Sequence, residues 1–317
     1  MATISHHVHL DCDTGIDDAL ALAQLLSRPN VDLVAISTVS GNTTAAQAAT
    51  NTLDLLALAG HEGIRVAVGA PGPIVGGFRG GAPQVHGNNG IGEVDLPHAA
   101  HNPETISGAE QIIRSAREHP RELDLLAVGP LTNLAEALHL EPELPTLVKH
   151  LTVMGGAVWV PGNITEHAEA NIANDPEAAQ AVFTAAWPIT LVPLDVTLQH
   201  TIGVDEQRQI AARGTHFHTA LAEMLDTYLD FYQRFFGERR CALHDPLAAM
   251  IAVGDSTPAT VRNTALAVDP SDVDSRGRTT PATTGPQVDV ITAVTTPAAR
   301  DLLQQILSLE PTGEVLA

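Results

Sequence analysis

Lysine is almost missing from this 317-residue chain: Lys149 stands alone, and Lys and Arg together number 16 against 37 Asp and Glu. The formal charge of -21 opposes binding to phosphate backbones or anionic membranes, so neither nucleic acid nor a membrane is expected as a partner. Two cysteines, Cys12 and Cys241, are too few for a disulfide framework and fit small buried fillers. No apolar run is long enough to span a bilayer, and MATISHHVHL lacks a basic region followed by an apolar one. A cytoplasmic protein is therefore expected. Aromatic residues make up only 3%, which makes the group between Tyr228 and Phe236 conspicuous. With 44% apolar residues the chain can bury a substantial core, and no shift of composition demands a boundary. A single domain over residues 1–317 is the expectation.

What the chain does have is DCDTGIDDALAL, Asp11 to Leu22, with four carboxylates in eight residues. Val8 to Leu10 before it is apolar, and Ala19, Leu22, Ala23 and Leu26 after it fall at helical spacing. The acids are expected in a strand-to-helix turn, where Asp17 or Asp18 could cap the helix and complement its dipole. Four like charges need more compensation than one cap supplies, and Gly15 would let the backbone bend so that they converge. Hard carboxylate oxygens in such a group suit Ca2+ or Mg2+.

Apolar runs at Leu33 to Val39, Arg65 to Val68, Leu123 to Val128, Leu151 to Met154 and Ile189 to Pro193 read as buried strands. Helical patterns at Thr43 to Ala59, Glu104 to Glu118, Thr132 to Leu140 and Pro176 to Ala185 alternate with them. That alternation predicts an α/β fold with an open, doubly wound, mostly parallel sheet and ligands at the carboxyl ends of its strands. The turn-rich segment from Gly69 to Pro103 reads as a loop beside the site, with an interdomain linker as the other reading. After Asp195 the chain turns mainly helical, at Asp205 to Arg213, His216 to Phe236 and Asp245 to Val253. Two strand-like runs follow, Thr260 to Val268 and Gln287 to Val294, as an antiparallel hairpin around the turn-rich Pro270 to Thr284. A last helix is expected over Pro297 to Leu309.

Polar residues recur where the strands stop: Ser40-Gly41-Asn42, then Gly129-Pro130-Leu131-Thr132-Asn133, then Gly162-Asn163 through Asn171. Each alone is ordinary turn chemistry, and Thr132 or Asn133 could merely cap a helix. Together on one rim they mark a site.

The opening stretch resembles the nucleoside hydrolase signature, Asp-x-Asp-Pro-Gly-x-Asp-Asp before a small apolar helix, with Thr14 in place of Pro. The resemblance runs from Asp11 to about Leu247. It implies hydrolysis of the N-glycosidic bond of ribonucleosides, a role in purine and pyrimidine salvage, and a homodimer or homotetramer. It implies Ca2+ held by Asp13, Asp18, the main-chain carbonyl of Val128 and Asp245, with Asp13 as general base. Ribose hydroxyls would fall to Asp17, Asn42, Asn163, Glu169, Asn171 and Asp245. In NITEHAEANIANDP, Glu166, His167 and Ala170 depart from the family pattern. Glu169 and Asn171 would point the same way along an extended chain. His244, in CALHDPLAAM, is the candidate general acid, and His86 in VHGNNG resembles a second histidine near the base, with Asn89 where Asp is usual. Tyr228 and Tyr232, four apart on one helix face, could stack on the base or fill the core.

Two other classes compete. Phosphatases of the haloacid dehalogenase type also open on Asp-x-Asp with Mg2+, but want Thr or Val where Gly15 stands. A ribonucleoside binder without turnover would share the fold and the pocket.

Overall fold

A computed structural model describes residues 4–271 and 274–311. Residues 1–3 and 312–317 of the expected single domain, and Asp272 and Val273 of the turn-rich stretch, lie outside the described residues. Strands β1 (His6–Cys12), β2 (Val31–Thr38), β3 (Arg65–Val68), β4 (Leu123–Ala127), β5 (His150–Met154) and β6 (Ile189–Val192) alternate with helices as expected. They pair in parallel in the order β3-β2-β1-β4-β5-β6. This is the doubly wound order, and the chain reverses direction across the sheet between β1 and β4. Ligand sites gather at that reversal.

β7 (Thr201–Gly203) and β8 (Arg240–Ala242) form a small separate antiparallel pair. β9 (Pro258–Val268), β10 (Thr279–Ala282) and β11 (Val288–Val294) extend the main sheet past β6, with β9 antiparallel to both neighbours. The expected pairing of the two late runs is present. β10 is an addition to it, inside a stretch whose turn residues masked it. It is an edge strand of four residues containing Pro281, and an edge is where a strand tolerates proline.

β4 and β6 are buried along their whole length, because helices cover both faces of the sheet. One apolar cluster joins the helices Ile16–Leu26, Ala45–Ala59, His216–Phe236, His244–Ala252 and Ala298–Ser308. The other joins Gly108–Glu118, Thr132–Leu140 and Pro176–Thr184. Helix starts follow local chemistry: Thr44 caps the second helix through Gln47 N, and Ser107 with Glu110 forms a capping box for the helix Gly108–Glu118. Among the described residues no helix is long and apolar enough to cross a membrane.

Candidate active site

β1 runs through Cys12, so Asp11 belongs to the strand and not to the turn. Its Oδ1 accepts from Ser37 Oγ and from Asn133 Nδ2, the latter at 2.7 Å. Asn133 also donates to the Thr38 carbonyl and accepts from Ala70 N, so it ties three strand ends together rather than capping a helix. Thr132 does not cap either; its hydroxyl donates to Asp175. The expectation that four acids converge is thus corrected: Asp11 is tied through Oδ1 into a buried network beside the sheet and is not among the carboxylates that gather.

The other three do approach. Gly15 precedes the helix, placing Asp17 and Asp18 in its first turn, where the positive end of the helix dipole favours them. Asp18 Oδ2 accepts from Gly15 N at 2.7 Å and from Asn42 Nδ2 at 3.2 Å, while its Oδ1 accepts from Asp13 N. Asn42 N donates to Asp13 Oδ2 at 2.6 Å. Gly15 is needed for space and not for a sharp bend: its φ of -96° is ordinary, but a Cβ there would lie 2.5 Å from Asn42 Nδ2 and 2.7 Å from His86 Nδ1. At Gly41 a Cβ would meet Asp13 Oδ2 at 2.0 Å.

Carboxylate oxygens of Asp17, Asp18 and Asp245 lie within 4.8 Å of one another, all buried, a spacing that can hold a metal ion. Asp13 Oδ1 and Asp17 Oδ1 are buried without a hydrogen-bond donor. Burial, then repulsion from neighbouring carboxylates, raises Asp18 to about 7 and pushes Asp13 and Asp245 well above the usual carboxylate range. An all-oxygen donor set with orphaned lone pairs and mutual repulsion fits a hard divalent cation. Geometry brings Asp17 into the group alongside Asp18 and Asp245. The Val128 carbonyl, expected as a metal ligand, accepts from Asn171 Nδ2 at 2.7 Å.

Asn171 and Glu169 are not alternate residues of an extended chain. Glu169 is the N-cap of the helix Ala170–Asn174, accepting from Asn171 N, Ile172 N and Gly156 N, and burial raises its pKa. Both side chains nevertheless border one cavity of about 310 Å³. Asn163 borders it from an exposed loop, its Oδ1 accepting from Ala170 N.

The same cavity is bounded by Asp17, Asp245, His86, His244 and an aromatic wall. Tyr228 donates to Asp17 Oδ2 at 2.8 Å, and Tyr232 Oη lies 2.7 Å from His244 Nε2. Both tyrosines are therefore bound through their hydroxyls to site groups, and their rings meet edge to face at 5.0 Å. Thr197 Oγ1 takes His244 Nδ1 at 2.8 Å, and burial lowers that imidazole to about 4, so it is neutral at pH 7. His86 Nδ1 accepts from Ile16 N, which fixes its proton on Nε2. Asn89 accepts from Ile91 N and Glu93 N and so shapes the loop that carries His86. Thr197 was not anticipated, although it follows β6 as the other rim residues follow their strands. Phe231, Phe235 and Phe236 complete the wall, within the aromatic group noted above.

The profile described as inosine-uridine preferring nucleoside hydrolase matches residues 8–301. The chain belongs to that family. It is accordingly an N-glycosyl hydrolase, and the phosphatase reading falls. Uridine nucleosidase 1 of Arabidopsis thaliana is 36% identical over 245 residues, 77% of this chain and 73% of that one. A pyrimidine-specific ribonucleoside hydrolase of Citrobacter koseri is 37% identical over 240 residues, 75% and 76% of the two chains. Among solved structures, a purine-preferring ribonucleoside hydrolase from Gardnerella vaginalis superposes with a TM-score of 0.90 at 32% identity, over 95% of this chain and 98% of that one.

Proposed function

We infer that this hydrolase cleaves the N-glycosidic bond of ribonucleosides with Ca2+ as cofactor and Asp13 as general base. The observation that carries the reading is one cavity bordered both by carboxylates and by a phenol–imidazole pair in an aromatic wall. Asp13, Asp17, Asp18 and Asp245, with the Val128 carbonyl, are the groups to hold the cation. A hard cation there supplies Lewis acidity, lowering the pKa of water and fixing its position.

Asp13 then takes a proton from the attacking water through Oδ1, the oxygen that no donor occupies. Asn42 N, on its other oxygen, keeps the carboxylate in place. As the C1′–N bond breaks, positive charge grows on the ribose ring, and the anionic cluster stabilises it. Asp17, Asn42, Asn163, Glu169, Asn171 and Asp245 bind the ribose hydroxyls, and contacts that tighten in the transition state lower the barrier.

The base lies against Tyr228, Tyr232 and His86. Because both nitrogens of His244 are engaged, it acts on the leaving base through Tyr232: the phenol gives its proton to the base, the neutral imidazole's Nε2–H steadies the phenolate, and solvent water reprotonates the phenolate after release. The same proposal includes one domain over the full chain, a homodimer or homotetramer, a cytoplasmic setting and a place in nucleoside salvage. Release of free base and ribose from uridine and inosine, lost on chelation and restored by Ca2+, is the test. Stoichiometric binding without release would favour a non-catalytic binder.

A further inference from the structure

A second cavity, about 680 Å³, adjoins the nucleoside cavity. The two share Asn42, Ala82, Gln84, Ile164 and Ala170, whereas none of the aromatic residues Tyr228, Phe231, Tyr232, Phe235 and Phe236 borders the second. The opening between the two spaces is therefore bordered by none of the aromatic wall. Two of the five shared residues, Ala82 and Ala170, are alanines, and Ala170, half-buried at the start of its helix, stops at Cβ.

Ribose fixes what faces this opening. With its vicinal diol on the carboxylates and its base on the aromatic wall, C1′ points one way and C4′, across the ring oxygen, points the other. The substituent on C4′ is C5′. We propose that the second cavity is a subsite for an uncharged group carried on C5′, so that the substrates include 5′-extended ribonucleosides. This rests on the ribohydrolase reading above. The bond chemistry is unchanged: water oxygen bonds to C1′, the C1′–N bond breaks, its electron pair leaves with the base, and a 5′-substituted ribose is released.

The lining argues for an uncharged group over a phosphate. Arg79 and Arg276 are balanced there by Glu166 and Asp274, and Arg276 is also paired with Glu177 at 2.8 Å. The neighbouring site is anionic, as is the whole chain. Val75, Phe78, Ile164 and Ala173 offer apolar surface to an alkyl chain.

The test compares kcat/KM for uridine, 5′-S-butyl-5′-thiouridine and uridine 5′-monophosphate on the Ca2+-loaded enzyme. The butyl thioether is expected within about threefold of uridine and at least tenfold above the monophosphate. Ala170→Phe, which fills the junction, should lower the thioether-to-uridine ratio at least tenfold. Phe78→Ala, on a residue outside the nucleoside cavity, should lower the thioether about fivefold through KM and leave uridine unchanged. Hydrolysis of uridine without the thioether, a preference for the monophosphate, or an unchanged ratio in both variants overturns the subsite and leaves the ribohydrolase reading intact. No release from any of the three overturns both.

Discussion

Tyr232 Oη sits 2.7 Å from His244 Nε2, and Thr197 Oγ1 holds the other ring nitrogen at 2.8 Å. The histidine is thereby fixed in rotation and has no free nitrogen to present to a substrate. In the proposed mechanism its influence on a leaving base passes through the phenol.

That arrangement predicts that Tyr232→Phe and His244→Ala resemble each other. Each should slow inosine on the order of 10²-fold in kcat, the lower range for removing one proton donor, and slow uridine less, because uracil carries negative charge better. Steady-state kinetics on both substrates decide it. Equal losses on inosine and uridine would sink the assignment. A double variant should lose no more than either single one, since the two residues act as a unit.

Gly41 gives a second prediction, independent of proton donation. A Cβ there would lie 2.0 Å from Asp13 Oδ2, so Gly41→Ala must displace the carboxylate. Displacing a reacting group by about 1 Å costs on the order of 10²-fold in rate. The expected result is a fall in kcat of that size with an unchanged far-ultraviolet spectrum. Full activity would mean that Asp13 is not held where the water is activated.

The carboxylates also set a pH dependence. In the metal-free protein Asp11 and Asp18 titrate near 7, and burial pushes Asp13 and Asp245 upward too, against about 3.8 unfolded. Between those values the folded state binds more protons than the unfolded one, so these groups lose stability as pH rises through the folded pKa. His9, lowered by burial to about 3, and His244, lowered to about 4, act the other way, costing stability as pH falls below 6.5. A cation must displace the carboxylate protons to bind. The rise in Tm on adding Ca2+ should therefore be larger at pH 8 than at pH 5.5, by calorimetry at fixed ionic strength. An equal rise at both would place the cation elsewhere.

Asn171 offers a fourth. Its amide donates to the Val128 carbonyl at 2.7 Å and to the Met154 carbonyl, so its loss frees two buried acceptors beside the carboxylates. Asn171→Ala should cost roughly 1–3 kcal/mol of stability and raise KM for uridine, whereas Asn171→Asp, which keeps shape but not the donors, should not rescue either. Chemical denaturation and kinetics together check it.

Much of this was legible in the chain. The parallel core followed from strand-length runs of Val, Leu and Ile alternating with helical spacing, and polar residues at their ends pointed to one rim. β10 was hidden because its four residues, TTPA, pack at an edge where neither alternation nor hydrophobicity is enforced. In the site, residue types identified the carboxylates but could not divide them. Asp11 and Asp13 read alike in sequence, and only the extent of β1 and the reach of Asn133 and Ser37 assign Asp11 to a buried network. Likewise Thr197 and Tyr232 share His244 through tertiary packing, which no local spacing encodes.

The most direct measurement is reducing-sugar release from uridine and inosine by wild type and Asp13→Ala, each with Ca2+, after chelation and after Ca2+ is restored. The account predicts release by wild type that vanishes on chelation and returns with Ca2+, and none above about 10⁻³ of that rate from the variant. Undiminished release after exhaustive chelation, or from Asp13→Ala, would contradict it.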